Sequence, residues 1–229
     1  MIKAVIFDWN GTLFDDLEKL AYGSVKEIFR CYNIPPPTLE QYRQEITSSF
    51  MAFYYKYGFA ENFSGQEAKG DADALNQIRK KYYTEHKSDG QIRPDARDTI
   101  LRLKEMNIKI GIVSAEIRAS LFEKLNSSEL RDQFDPKLII AEAWSGKDLA
   151  LLDICDKLAI QPGNAIYVDD TIDGINSAKK AGLIPVGFGN KTGYNSERRL
   201  RQITSLVVNE LSELIPLISR TTNFEIYPS

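Results

Sequence analysis

The sequence predicts an α/β protein, a doubly wound parallel sheet with a helical domain inserted after its first strand. Three observations carry that expectation. The chain opens on a short apolar run, Ile2–Phe7, broken once by Lys3 and rich in β-branched residues. Such a run reads as a strand buried on both faces. Residues 16–90 then show helical spacing and no strand-like run, whereas from Pro94 onward strand-like and helix-like segments alternate. The expected organisation is a core made of residues 1–15 plus 91–229 and a helical domain over residues 16–90.

Within the insert, Asp15-Asp16 open a pattern in which Leu17, Leu20, Val25, Ile28 and Phe29 recur at helical spacing. Pro35–Pro37 end it, and Thr38 reads as the N-cap of a helix over Leu39–Ile46. Thr47, Ser48 and Ser49 form a polar break before the aromatic stretch Phe50–Phe59. A long segment, Gln66–Lys87, carries Ala72, Leu75, Ile78, Tyr82 and Tyr83 among charges. In the core the expected order is a helix over Asp95–Met106, a strand Ile108–Val113 ending at Ser114, and a helix around Ala119–Leu125. A strand Leu138–Ala141, a helix Lys147–Leu158 and a strand Ala165–Val168 ending at Asp169-Asp170 follow. Gly174–Ala181 is a helix closed by Gly182, Ile184–Val186 a strand, and Leu206–Val208 with Leu211–Ile218 complete the series.

Composition narrows the function classes. At 229 residues and 43% hydrophobic content the chain can build a full core without staples. A net charge of −3 creates no general field for nucleic acid or anionic membrane. Cys31 and Cys155 make no disulfide framework, and no apolar run approaches a membrane span. The first strand begins at once, so no signal peptide is expected and the expected location is the cytoplasm. His86, the single histidine, and the run Arg198, Arg199 and Arg201 read as solvated surface.

Chemistry concentrates at the strand ends. Asp8 stands at the carboxyl end of the first strand, where open α/β sheets bind ligands, although capping a turn would also explain it. Asp169, Asp170 and Asp173 repel one another unless a cation sits among them. Together with Asp8 they make an oxygen-rich site suited to Mg²⁺, a solvated turn being the other reading. Ser114 suits a helix N-cap, and Lys147 taken alone is an ordinary surface lysine.

Asp8-Trp9-Asn10-Gly11-Thr12-Leu13 resembles the Asp-x-Asp-Gly-Thr signature of the haloacid dehalogenase superfamily. Three further motifs follow in the family's order: Gly111–Ala115 (GIVSA), Ser145–Asp148 (SGKD) and Tyr167–Gly182 (YVDDTIDGINSAKKAG). The resemblance implies a Rossmann-like core, a helical cap, and a phosphatase of the phosphoglycolate phosphatase type. It implies that Asp8 takes a phosphoryl group as nucleophile. Ser114 and loop N–H groups of Gly11, Thr12 and Ala115 would orient the phosphate, and Lys147 would hold phosphate and nucleophile. Mg²⁺ would sit on Asp8, Asn10, Asp170 and, less directly, Asp173, while Asp169 stands where many relatives have glycine.

Asn10 departs from the family pattern. Its place belongs to the aspartate that protonates the leaving group and activates water, which an amide cannot do. The expected activity is Mg²⁺-dependent hydrolysis of a small-molecule phosphate ester, phosphoglycolate- or sugar-phosphate-like, by a monomer or homodimer. Two other readings stay open: a phospho-ligand binding protein without turnover, and an enzyme cleaving a carbon–phosphorus or carbon–halogen bond. Thr47, Ser48, Ser49, Tyr54, Tyr55 and Tyr57 would either line a cap pocket or, for the aromatics, form the cap's own core.

Overall fold

The computed structural model describes residues 1–45, 50–57, 59 and 66–224. It divides into two compact units, Met1–Asp15 with Ile92–Ser229, and Asp16–Gln91.

The larger unit is built on six parallel strands: β1 (Ala4–Phe7), β4 (Lys109–Val113), β5 (Ile139–Ile140), β6 (Ala165–Asp169), β7 (Ile184–Phe188) and β8 (Val207–Val208). The short β2 (Phe14–Asp15) and β3 (Gln91–Ile92) form a separate two-stranded sheet. In space the large sheet runs β5-β4-β1-β6-β7-β8. The chain therefore winds outward from β1 in one direction through β4 and β5, and in the other through β6, β7 and β8. The reversal falls between β1 and β6, and crevices at such switch points take ligands in doubly wound sheets. Every residue of β1 and β6 is buried, as a central strand covered on both faces requires. Register then dictates what meets at the edge. Phe7 pairs with Val168 on one side and with Ile112 on the other. Asp8, Ser114 and Asp169 consequently leave the sheet at about the same level.

The helices, in chain order, are α1 (Tyr22–Cys31), α2 (Leu39–Glu45), α3 (Phe50–Tyr55) and α4 (Gln66–Glu85) in the smaller unit. The larger unit has α5 (Ala96–Glu105), α6 (Arg118–Asn126), α7 (Asp148–Lys157), α8 (Ile172–Lys180), α9 (Glu197–Leu200) and α10 (Leu214–Phe224). One side of the sheet packs Ala4, Ile6 and Tyr167 against Leu151, Ile154 and Ala178 of α7 and α8. Burying each large aliphatic side chain there contributes about 1.5–3 kcal/mol.

In the smaller unit, a five-residue π-helical turn, Leu17–Ala21, precedes α1, and Leu17, Leu20, Val25, Ile28 and Phe29 are all buried. Phe29 is the hub of an aromatic cluster with Phe53, Tyr54, Tyr57 and Phe59, at centroid distances of 5.0–6.4 Å. Tyr54 is thus core and Tyr57 packs on Phe29, whereas Tyr55 is exposed. Thr47, Ser48 and Ser49 lie outside the described residues.

The elements absent from the sequence reading are β2, β3 and α9, which are two to four residues long and too short to show a period. Cys31 and Cys155 are free thiols. His86 bonds Asp89 at 2.8 Å and stacks on Tyr82, and Arg201 pairs with Glu197. Among the described residues, no helix is long and apolar enough to cross a membrane.

Thr38 and Gln41 satisfy each other's orphan groups at the start of α2. Thr38 Oγ1 accepts from the Gln41 N–H at 3.2 Å, and Gln41 Oε1 accepts from the Thr38 N–H at 2.8 Å. Replacing Thr38 by alanine is expected to cost about 1 kcal/mol. Urea unfolding followed by tyrosine fluorescence should show a lower midpoint and an unchanged slope.

Candidate active site

The loop after β1 is a compact turn. The Trp9 carbonyl accepts from the N–H groups of Leu13 and Phe14 at 3.0 and 2.8 Å, and the Trp9 and Phe14 rings stack at 5.7 Å. Gly11 sits at φ 78°, and a Cβ there would lie 2.2 Å from Asp170 Oδ2. Only glycine meets both constraints. Thr12, fully buried, points its hydroxyl at Asp170 Oδ1 at 3.4 Å.

At the switch point Asp8, Asp169 and Asp170 each offer a carboxylate oxygen within 4.8 Å of the others, and all three are buried. Lys147 enters from the N-cap of α7 and donates to Asp8 Oδ1 at 2.8 Å and to Asp169 Oδ2 at 2.7 Å. Asp169 Oδ1 accepts from the Thr171 N–H at 2.7 Å and its hydroxyl at 2.6 Å. Asp170 Oδ2 accepts from the Tyr194 N–H at 2.6 Å. The cap of α8 is Thr171, whose hydroxyl accepts from the Gly174 N–H, so no aspartate is spent on capping. Gly174 has no Cβ where Asp169 presses in: one built there would lie 1.9 Å from Asp169 Oδ2.

Asp173 does not join this group. It lies exposed in the first turn of α8, and Asp169 occupies the cluster in its stead. The physical reason is helical: three residues beyond Asp170 the chain has already turned, carrying the side chain to the solvent face.

Ser114 is buried at the end of β4, and its Oγ accepts from the Glu116 N–H at 3.1 Å. That bond uses an oxygen lone pair and leaves the hydroxyl proton to donate. The N-cap of α6 is Ile117, so Ser114 does not cap it. Ala115 is exposed, and its carbonyl accepts from Trp144 Nε1. Asn10 Nδ2 donates to Glu116 Oε2 at 3.0 Å, and Lys124 Nζ pairs with the same oxygen at 2.6 Å. Asn10 Oδ1 is buried and has no hydrogen-bond partner among the described residues.

Burial pushes the Asp8 carboxyl up to about 7; Asp169's charge adds to the shift and Lys147 opposes it. For Lys147, burial works against the charge, but Asp169 and Asp8 outweigh it and hold the ammonium above its ordinary range. Burial also opposes ionisation of Glu116, yet Lys124 and the donors around it keep that carboxyl below its ordinary value. The centre is an anionic pocket of hard oxygen donors in which one ammonium serves two carboxylates, and such a donor set fits a divalent cation.

Sequence reading missed three participants. Arg93 is buried and donates to the carbonyls of Thr12 at 3.0 Å and Gly11 at 2.6 Å, with Asp15 at 3.3 Å and Thr192 at 2.6 Å on its remaining nitrogen. Tyr194 supplies a backbone donor to Asp170 from a loop without pattern. Glu116 follows Ser114 by two residues, and nothing local marks it as a partner of Asn10.

A family model described as haloacid dehalogenase-like hydrolase matches residues 5–187. The chain is 25% identical over 232 residues to a phosphoglycolate phosphatase of Nitrosospira multiformis, covering 96% of this chain and 97% of the relative. It is 21% identical over 224 residues to a phosphorylated carbohydrates phosphatase of Thermotoga maritima, covering 95% and 98%. A crystal structure of a predicted phosphoglycolate phosphatase from Haemophilus somnus superposes with a TM-score of 0.77 at 17% identity, covering 95% of this chain and 98% of that one.

The raised Asp8 pKa has a stability consequence. Between the ordinary carboxylate value of 3.8 and about 7, the folded state keeps a proton that the unfolded chain has released. Folding stability therefore falls as pH rises through that window. Thermal melts of the metal-free protein should show a decline from about pH 4 to about pH 7, and Asp8→Asn should flatten it.

Proposed function

The chain belongs to the haloacid dehalogenase-like hydrolase family, and on that premise we propose that it is a Mg²⁺-dependent phosphatase of small organic phosphates working through an aspartyl-phosphate on Asp8. The observation that carries the reading is the Lys147 ammonium joining Asp8 to Asp169 at the sheet's switch point. The phosphatase relatives, named for phosphoglycolate and phosphorylated carbohydrates, support an ester of small-molecule size.

In this reading Asp8 attacks phosphorus in line, helped by its fixed position at the end of a buried strand. Lys147 neutralises both the nucleophile and the incoming phosphate. The Ser114 hydroxyl proton and loop N–H groups orient the phosphoryl oxygens. Asp8 and Asp170 would hold the metal, with Asp169 in the same oxygen group and Asn10 Oδ1 as a neutral donor. Bound Mg²⁺ supplies charge neutralisation and a template for the phosphate. The smaller unit, inserted between β1 and β4 in the chain, serves as the helical cap that selects the substrate.

The deciding experiment is release of para-nitrophenol from its phosphate, with Mg²⁺ and with EDTA. Metal-dependent release by the native protein, lost in Asp8→Asn and reduced at least about 10²-fold in Lys147→Met, is expected. Release that survives Asp8→Asn would refute the nucleophile. Mg²⁺-dependent phosphate binding without release would instead favour a binding protein.

A further inference from the structure

We propose that the substrates are phosphates of acidic hydroxyl groups, acyl phosphates foremost, whose leaving group departs as an anion without a proton from the enzyme. The inference rests on the phosphatase reading above and narrows its substrate class.

Asn10 limits what the site can do with a proton. An amide side chain neither gives up a proton to a departing oxygen nor takes one from water. The carboxylate bonded to it does not fill that role. Glu116 Oε2 accepts from Asn10 Nδ2 at 3.0 Å and from the Lys124 ammonium at 2.6 Å, while Glu116 Oε1 accepts from the Ile117 N–H at 3.2 Å. Donors converge on both oxygens, so Glu116 is an acceptor and has no proton to offer. The same contact fixes the amide's orientation, because an ionised carboxylate binds only the NH₂ side. Asn10 Oδ1 is thereby turned away from Glu116, buried and without a hydrogen-bond partner among the described residues. It can hold a water or hydroxyl in place, but it cannot remove the proton.

What such a site can expel follows from leaving-group basicity. An alkoxide is nearly as basic as hydroxide and leaves only if protonated, whereas a carboxylate, with a conjugate-acid pKa of about 4, leaves unaided. With an acyl phosphate, an Asp8 oxygen forms a bond to phosphorus and the phosphorus–oxygen bond to the acyl group breaks. The electron pair departs on the carboxylate, and no proton moves. In the second half, water bonds to phosphorus, the bond to Asp8 breaks and Asp8 leaves as a carboxylate. The water's proton passes to product phosphate or solvent. Both halves expel a carboxylate, and an orienting amide suffices for each. Phosphoglycolate and phosphorylated carbohydrates, named for the relatives, are alkyl phosphates that do need a proton.

The test measures kcat/KM with Mg²⁺ for acetyl phosphate, a series of aryl phosphates of graded phenol acidity, phosphoglycolate and glycerol phosphate. Native protein is compared with Asn10→Asp, alone and combined with Glu116→Gln, because a carboxylate at position 10 would face Glu116. The native protein should favour acetyl phosphate over the alkyl phosphates at least about 10²-fold, with rates rising steeply with phenol acidity. An aspartate at position 10 should raise the ratio of alkyl to acetyl phosphate turnover about 10²-fold and flatten that dependence. Comparable native rates on alkyl and acyl phosphates would overturn the proposal, as would an equal gain on both classes in the variants. Should neither variant fold, the native dependence on leaving-group acidity still decides. Acid-quenched labelling of Asp8 by acetyl phosphate, absent in Asp8→Asn, separates the two levels. Labelled Asp8 with a flat leaving-group dependence removes only this inference, whereas no labelling and no turnover with any substrate removes the phosphatase reading too.

Discussion

One ammonium group organises the chemistry of this protein. Lys147 reaches two carboxylates from two different strands, and both contacts require β1 and β6 to hold their register. The arrangement is costly in isolation. Lys147 is buried to 13% side-chain exposure and stands at the N-cap of α7, the end of a helix where a cation is least welcome. Asp8 and Asp169 are likewise withdrawn from water. Each charge is tolerable only because the others are there, and removing any one would leave an unbalanced charge in a dry place.

The position of that site was legible because it is set by periodicity and by strand ends. A buried strand that stops at an aspartate, followed by an alternating core, places Asp8 and the Asp169-Asp170 pair on one edge before any coordinate is known. Contacts made by loops were not legible, because loop geometry has no period. Asp169 and Asp173 illustrate the difference. Both are acids within a few residues of Asp170, and counting residues does not say which faces inward. The turn into α8 decides it: Asp169 still belongs to β6, while Asp173 has entered the helix. Glu116 and Arg93 were invisible for the same reason: the contacts that bring them to the site, Glu116 to Asn10 and Arg93 to Gly11, each span more than eighty residues of chain.

Asn10 shows how a substitution is read only with its surroundings. In sequence it is an aspartate's amide counterpart and looks like a simple loss. In the structure its NH₂ group sits against a carboxylate that Lys124 already neutralises, with Lys124 also lying 5.0 Å over the Phe14 ring. An aspartate there would meet Glu116 charge to charge at hydrogen-bond distance. The amide is therefore matched to its neighbours.

Arg93 explains why the loop bearing Asn10 can keep its shape although a whole domain is inserted just after it. The chain leaves the core at Asp15 and returns at Ile92. On return, the Arg93 N–H donates to the Leu13 carbonyl, and its guanidinium takes the carbonyls of Gly11 and Thr12, with Phe188 stacked at 4.9 Å. The outgoing and incoming segments are thus fastened to each other within the larger unit. A guanidinium suits the task because its planar fork reaches several acceptors at once, which a lysine could not. Asp15 and Thr192 complete its ring of partners and link it to the segment that ends at Tyr194, the donor to Asp170. One buried arginine so connects the loop after Asp8 to the carboxylate across the switch point. The geometry of the site then depends on contacts within the core itself.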